Sequence, residues 1–599
     1  MSATFHSLLR PSVRAARPCF PPQQGPSTAY RIVRTSLAVT VGMGIGVAGL
    51  GQPSACAEDI FRSVQSAAIS LDKSPVAHWG SNADKYTGWT THSNRLIPVY
   101  TFGTKGGGAG VDLESYLGVN SPYRSEEPLQ KLYGQVPEGT LNPSAEYGDQ
   151  TQLAALQRAA FANGRKYVFL VVFDGMDWQT TRLASIAKLD RVAYSAGRGT
   201  GLHIQDETAN GTTQFGAVVV NAWSNTAITD VNMQTAQISP TSLPGGYNAQ
   251  LGGPNPWTPG TDNGYLIAKP EEKSAAHCIP DSSATATALC SGVKTYNSAV
   301  NVDHNGQQLR TVAHDAQQNG LSVGVVTSVP VSHATPASAY AHNVNRGDYQ
   351  DLTRDLIGRP SISHPENPLP GVDVLIGCGW GVESKSGSGQ GANFVPGNIY
   401  LTDQDREAVG DRNGGGYIVA TRTAGQDGGT VLDQAASKAV EQGTRLLGYF
   451  GTGRYKGHLP FRTADGDYNP TVGVKNMAET YTPADLDENP TLQEMTAAAL
   501  RVLQQNPRGF WLMVEAGDVD WANHDDNLDN SAGAVISGDD AVRTITDWVN
   551  AHSNWSESVM IVTADHGHYM FLDQPELLVS GDAAPPADSA PVKSTGSGK

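Results

Sequence analysis

The chain predicts an α/β fold, a three-layer sandwich with a central, mostly parallel sheet flanked by helices. Short, nearly continuous apolar runs recur at Tyr167–Phe173, 321–327, 373–376, 510–514 and 559–563. Runs of that length without alternation fit strands buried on both faces. Helix-like stretches lie between them, as at 430–449 and 491–505. Strands alternating with helices are the pattern of a parallel sheet covered on both sides.

Taken in order, residues 1–57 are set aside as a targeting segment. They carry five arginines and no acid; Arg31 and Arg34 precede an uncharged apolar tract at 36–51, and Ala55-Cys56-Ala57 follows it. That order reads as a secretory signal cleaved before Glu58, with export to a periplasm or the cell exterior. An N-terminal anchor helix is the alternative. Cys56 would suit a lipoprotein signal, but Pro53 stands where leucine is preferred. Without those five arginines the 41 basic residues become 36 against 58 acids, a net charge of about −22. So acidic a chain argues against nucleic acid as a bound polyanion, but not against small phosphate esters. Cys278, Cys290 and Cys378 remain, an odd number that gives no disulfide framework and at most one pair.

Residues 58–165 are mixed, with Gly-rich patches such as Lys105-Gly106-Gly107-Gly108, and are expected to pack on or extend the core. The span 166–580 reads as the catalytic domain. Within it, 222–270 is rich in Gly, Pro, Asn and Thr and lacks a helical period, which marks an insertion suited to a lid or a dimer arm. A second Gly/Ser loop covers 382–395, and Gly581–Lys599 has the composition of a disordered tail.

The chemistry gathers at strand ends. Asp174 follows Tyr167–Phe173, Glu515 follows 510–514, and Asp565-His566 follow the last run. Open α/β sheets bind ligands beyond the carboxyl ends of their strands. A single acid there is a turn residue or helix cap; three ends supplying carboxylates and an imidazole to one edge would repel unless a metal cluster sits among them. Asp520 and His524 are four apart, so on a helix both can reach one metal, and carboxylate plus imidazole suits zinc, although the spacing alone reads more readily as a surface ion pair. Asp281-Ser282 opens a run of small residues. That is an N-cap, or a serine held where helix N–H groups receive an anion.

In sequence order these segments resemble the alkaline phosphatase family. Asp281-Ser282-Ser283-Ala284 with Gly292-Val293-Lys294-Thr295-Tyr296-Asn297 resembles its active-site signature. Val514-Glu515-Ala516-Gly517-Asp518-Val519-Asp520-Trp521-Ala522-Asn523-His524 resembles its glutamate–aspartate–histidine pattern, and Thr563-Ala564-Asp565-His566 its second zinc motif. Phe173-Asp174-Gly175-Met176 and Pro490-Thr491-Leu492-Gln493-Glu494-Met495 match further family segments. The resemblance implies an alkaline phosphatase-like fold and hydrolysis of phosphate monoesters through a phosphoserine at Ser282. It implies two Zn²⁺ and one Mg²⁺. Asp565, His566 and Ser282 would hold one zinc, Asp520 and His524 the other. Asp174 would bridge zinc and magnesium, and Glu515 and Thr335 would complete the magnesium site. Arg346 would clamp phosphate with two guanidinium nitrogens. His333 and Trp521 stand where some members have charged residues, and a histidine there would influence which metal takes the magnesium position. A homodimer is the family's usual assembly.

Relatives carry a further histidine well after Thr-Ala-Asp-His, as third protein ligand of the Asp520/His524 zinc. Here only His568 follows His566, and it matches a histidine the family often has in addition. Three readings stay open: another histidine (His277, His458 or elsewhere) substitutes, two protein ligands suffice with water, or the site is defective. The wider alternatives are a phosphodiesterase or sulfatase of the same superfamily and a catalytically impaired phosphate-binding relative. Cys278-Ile279-Pro280-Asp281-Ser282 resembles the sulfatase Cys-x-Pro-x-Arg motif, but with Ser282 in the arginine's place.

Overall fold

The computed structural model describes residues 59–268, 276–474 and 478–580. The expected signal segment and the tail lie outside them. The apolar runs form a ten-stranded sheet of β1 (Ile97–Phe102), β2 (Gly148–Asp149), β3 (Tyr167–Phe173), β4 (Gln214–Val219), β5 (Ser322–Pro330), β6 (Val374–Cys378), β7 (Tyr417–Thr421), β8 (Arg445–Tyr449), β9 (Phe510–Ala516) and β10 (Ser558–Thr563). Their order across the sheet is β7-β8-β6-β5-β9-β3-β10-β1-β4-β2. From β7 to β10 every pairing is parallel. β1 then runs antiparallel to both β10 and β4.

Two helical layers cover the sheet. Trp178–Leu189, Gly428–Gln442, Leu492–Leu503 and Leu528–His552 pack side by side on one face; Thr151–Ala162, Ser282–Ser291, Val312–Gln318 and Ala334–Ser338 pack on the other. β3 and β9, between them, are buried along nearly their whole length, as their unbroken apolar sequences require. Parallel register is what builds the site. Glu515 pairs with Val172 and Thr327, and Thr563 with Val172, so Asp174, Glu515 and Asp565 all emerge at one edge.

Several expectations are corrected. The stretch 430–449 is a helix over Gly428–Gln442, ended by Gly443 at φ +62°, and then strand β8. The helix period hid a short apolar strand behind the turn. Residues 59–165, expected to pack on or extend the core, supply β1, β2 and a covering helix, and Ala77–Trp79 pairs antiparallel with Met570–Leu572. The 222–270 span holds a hairpin, Ala227–Asp230 with Thr235–Ile238, and two short helices. Its Tyr247 and Tyr265 are buried with Tyr123, Tyr133 and Tyr147 of the N-terminal segment, which fixes it as part of the core. Cys278, Cys290 and Cys378 are all buried and unpaired.

Candidate active site

Ser282 is the first residue of the helix Ser282–Ser291. Asp281 caps it, accepting a hydrogen bond from Ala284 N at 3.0 Å. All ten residues of this helix are buried, and small side chains let it settle between its neighbours. Ser282 Oγ lies 3.1 Å from His566 Nε2. Thr285 Oγ1 donates to Asp565 Oδ2 at 3.3 Å, which ties the helix to the end of β10.

His566 Nε2 is 3.4 Å from Asp174 Oδ1 and 3.4 Å from Asp565 Oδ2. Thr335 Oγ1, on the short helix Ala334–Ser338, donates to Asp174 Oδ2 at 3.4 Å, and Glu515 accepts from Thr327 Oγ1. Gly175 lets the β3 end turn at φ +75°; a Cβ there would sit 2.8 Å from His568 Nε2 and 2.9 Å from the Asp520 Cα. Asp520 and His524 share a face of the helix Asp518–His524, as their spacing requires, with His524 Nε2 3.5 Å from Asp520 Oδ1.

The electrostatics of this cluster are those of crowded, buried carboxyls. Asp174 has its carboxyl pushed well above the ordinary range by burial and by the charges of Asp565, Asp520 and Glu515. Burial raises Glu515 to about 8 and Asp565 to about 6. Burial and the nearby His92 hold His566 well below its usual value, so its imidazole is neutral and able to ligate. For Asp520, burial alone would raise the carboxyl; His524, His568 and His92 outweigh it and hold the group well below 3.8. Asp174 Oδ1 and Glu515 Oε1 are buried oxygens without a hydrogen-bond partner. Orphaned carboxylate oxygens, neutral imidazoles and a hydroxyl are the donor set that Zn²⁺ and Mg²⁺ take. Two donors bound tetrahedrally at zinc distances are about 3.3–3.4 Å apart, the separation found around His566.

A cavity of about 590 Å³ opens over the cluster, lined by Ser282, Arg346, His333, Lys456, Trp521 and His524 among others. Arg346 Nη1 is 3.2 Å from Asp281 Oδ2, which holds the guanidinium beside the N-terminus of the helix Ser282–Ser291. Lys456 Nζ sits 5.2 Å over the Trp521 ring. Burial and Arg346 push His333 down to about 3, so it faces the cavity as a neutral ring.

Neither histidine named as a substitute reaches the cluster. His277 is held by the Tyr265 hydroxyl at 2.8 Å, and His458 Nε2 lies 3.2 Å from Glu479. The residue that does reach it is His92. Its Nε2 is 3.1 Å from His524 Nε2 and 3.5 Å from Asp520 Oδ1, and its ring stacks on His566 at 3.7 Å. His568 Nε2 donates to Asp520 Oδ1 at 2.7 Å. A lone histidine in Thr90-Thr91-His92-Ser93 carries no local motif; the signal that could have found it is the strand-like Ile97–Phe102 just beyond. A second group, His342, Asp355 and His364, is bound by its own hydrogen bonds: His342 to His364 at 3.0 Å and to the Leu309 carbonyl at 2.8 Å.

Fold and donor set together describe an α/β protein with a cluster of candidate metal ligands built around a serine. A sequence model described as alkaline phosphatase matches residues 248–582, more than half of the chain. Similar proteins include alkaline phosphatase 4 of Bacillus subtilis, 28% identical over 51% of this chain and 52% of that protein. Alkaline phosphatase H of Pseudomonas aeruginosa is 30% identical over 52% of this chain and 64% of its own length. Among solved structures, the alkaline phosphatase of the Antarctic bacterium TAB5 aligns over 68% of this chain and 80% of that one, at 19% identity and a TM-score of 0.39. The chain belongs to the alkaline phosphatase family. It spans about half the length of the first Bacillus relatives it matches.

Proposed function

We propose that the chain hydrolyses phosphate monoesters through a phosphoserine at Ser282, in a site for two Zn²⁺ and one Mg²⁺. The observation that carries this reading is a buried serine hydroxyl 3.1 Å from His566 Nε2, at a helix N-terminus, beside the carboxylates of Asp174 and Asp565. Asp565 and His566 with Ser282 would hold one zinc, Asp520 and His524 the other. Asp174, Thr335 and Glu515 would hold magnesium. When bound, these ions supply the charge that ionises a hydroxyl and stabilises a departing oxygen near neutral pH.

The chain's own residues do the rest. The Ser282 oxygen attacks phosphorus; the new P–O bond forms in line as the ester P–O bond breaks, and the alcohol leaves. Water then attacks the phosphoserine, inorganic phosphate is released and Ser282 recovers its proton. Arg346 and the free N–H groups of Ser282–Ser291 receive charge on the non-bridging oxygens. Lys456 adds positive charge at the cavity mouth. Turnover of p-nitrophenyl phosphate with acid-trapped phosphate on Ser282 tests the reading; turnover with no trapped phosphate in any quench sinks it. The sulfatase alternative loses support from Cys278, which is buried, donates to the Ala222 carbonyl and has its thiol pushed up to about 12 by burial. Export and a homodimer belong to the same proposal: the first rests on the sequence of residues 1–57, the second on the family resemblance.

A further inference from the structure

We infer that His92, on the segment ahead of the sheet, is a protein ligand of the same metal as Asp520 and His524. The inference rests on the metal reading above and assigns the ligand that reading leaves open.

Three donor atoms form a nearly equilateral triangle. His92 Nε2 and His524 Nε2 are 3.1 Å apart, and each is 3.5 Å from Asp520 Oδ1. Those edges bracket the separation of about 3.3–3.4 Å that one tetrahedral zinc imposes on its ligands. The tautomers point the same way. His92 Nδ1 donates to the Pro280 carbonyl at 2.8 Å, and His524 Nδ1 donates to the Thr90 carbonyl at 2.7 Å. Carbonyl oxygen only accepts, so in each neutral ring Nε2 carries the lone pair. Two lone pairs facing at 3.1 Å beside a carboxylate repel; a metal ion between them relieves this, as would a proton shared by the two rings. Both rings also have the backbone anchor that orients a metal-bound imidazole.

His568 is excluded by its distance. At 2.7 Å its Nε2 is a hydrogen-bond donor to Asp520 Oδ1, closer than two ligands of one zinc approach, and it orients that carboxylate from behind. His92 is also held rigidly. Ser93 N donates to the Gly567 carbonyl at 2.8 Å, inside the loop that carries His566 and His568. β1, five residues on from His92, pairs with β10, and Ala77–Trp79 pairs with Met570–Leu572. The segment before the sheet is thus stitched on both sides to the strand end it completes. The histidine expected after Thr-Ala-Asp-His comes instead from 432 residues before His524.

The test is zinc binding by the full chain, measured as bound metal and as affinity in a zinc-buffered titration. Wild type is expected to hold two zincs. His92→Gln is expected to keep one and to bind the second at least about 100-fold more weakly, the upper end of what even an outer partner of a ligand costs. His277→Gln keeps both. Unchanged stoichiometry and affinity in His92→Gln, or no zinc in wild type, overturns the inference. Should the variant fail to fold, diethyl pyrocarbonate labelling of wild type decides: His92 is protected by zinc and labelled after chelation, whereas equal labelling in both states overturns the assignment. A wild type with two zincs and no turnover leaves His92 standing and removes the proposed reaction. Turnover with equal zinc in both proteins does the reverse.

Discussion

The two halves of the candidate site are built by different rules. Asp174, Glu515 and Asp565 sit at or just past the ends of adjacent parallel strands, and the sheet's own register brings them together. Asp520, His524, His568 and His92 gather from a helix, a loop and a distant segment, with no shared register. The first half is fully buried, its carboxylates pushed toward protonation; in the second, His524 leaves 31% of its side chain exposed to the cavity. The strand-edge half is therefore positioned by the sheet itself, while the histidine half depends on contacts between segments far apart in the chain.

That contrast can be broken in several places. The largest effect is expected at Ser282, which touches the strand-edge half through His566. Ser282→Ala should lower p-nitrophenyl phosphate turnover by at least about 10³-fold and abolish acid-trapped phosphate. Arg346→Ala should cost about 10²–10³ in kcat, and Arg346→Lys should restore only part, because lysine cannot present two parallel donors. Asp174→Asn and His524→Gln compare the halves directly. Excess zinc should recover most of the activity of His524→Gln and none of that of Asp174→Asn; equal recovery would mean the halves are alike. Thr335→Val should be milder, about tenfold or less, and relieved by raised magnesium.

The smallest effect separates a core histidine from a site histidine. Burial pushes His277 down to about 4. Its folded form stays neutral while the unfolded chain takes a proton below about pH 6.5, so stability is full above that pH and falls as pH drops towards 4. The fall is about 1.4 kcal/mol per pH unit in that window, and His277→Gln should flatten it in denaturant midpoints without changing bound zinc.

The same division explains what was legible in the sequence. The strand-edge residues follow unbroken apolar runs, so Asp174, Glu515 and Asp565 could be read locally, while Asp520 and His524 needed the family resemblance to lift their i, i+4 spacing above a surface ion pair. The structure does gather these residues with Ser282 and His566. Arg346 and Thr335, matched by resemblance, also lie at the site, Thr335 on Asp174 and Arg346 on Asp281. Illegible were contacts whose partners share no neighbourhood. β1 is an apolar run in a segment otherwise polar, β8 was merged with the helix before Gly443, and His92 has meaning only beside residues more than 400 positions away. Pattern reports local periodicity; it cannot report which distant backbone a strand will pair with.

The antiparallel seam between β1 and β10 has a consequence for the newborn chain. During synthesis the ribosome makes β1 first and β10 more than 450 residues later. Until then β1 has no partner on that side, and a nascent polypeptide halted after the Asp520–His524 helix lacks the strand that anchors residue 92. Contacts so far apart in sequence close slowly. Completion of the proposed metal site therefore waits on synthesis of β10, and fragments that end before it should be unable to hold zinc in a stable form.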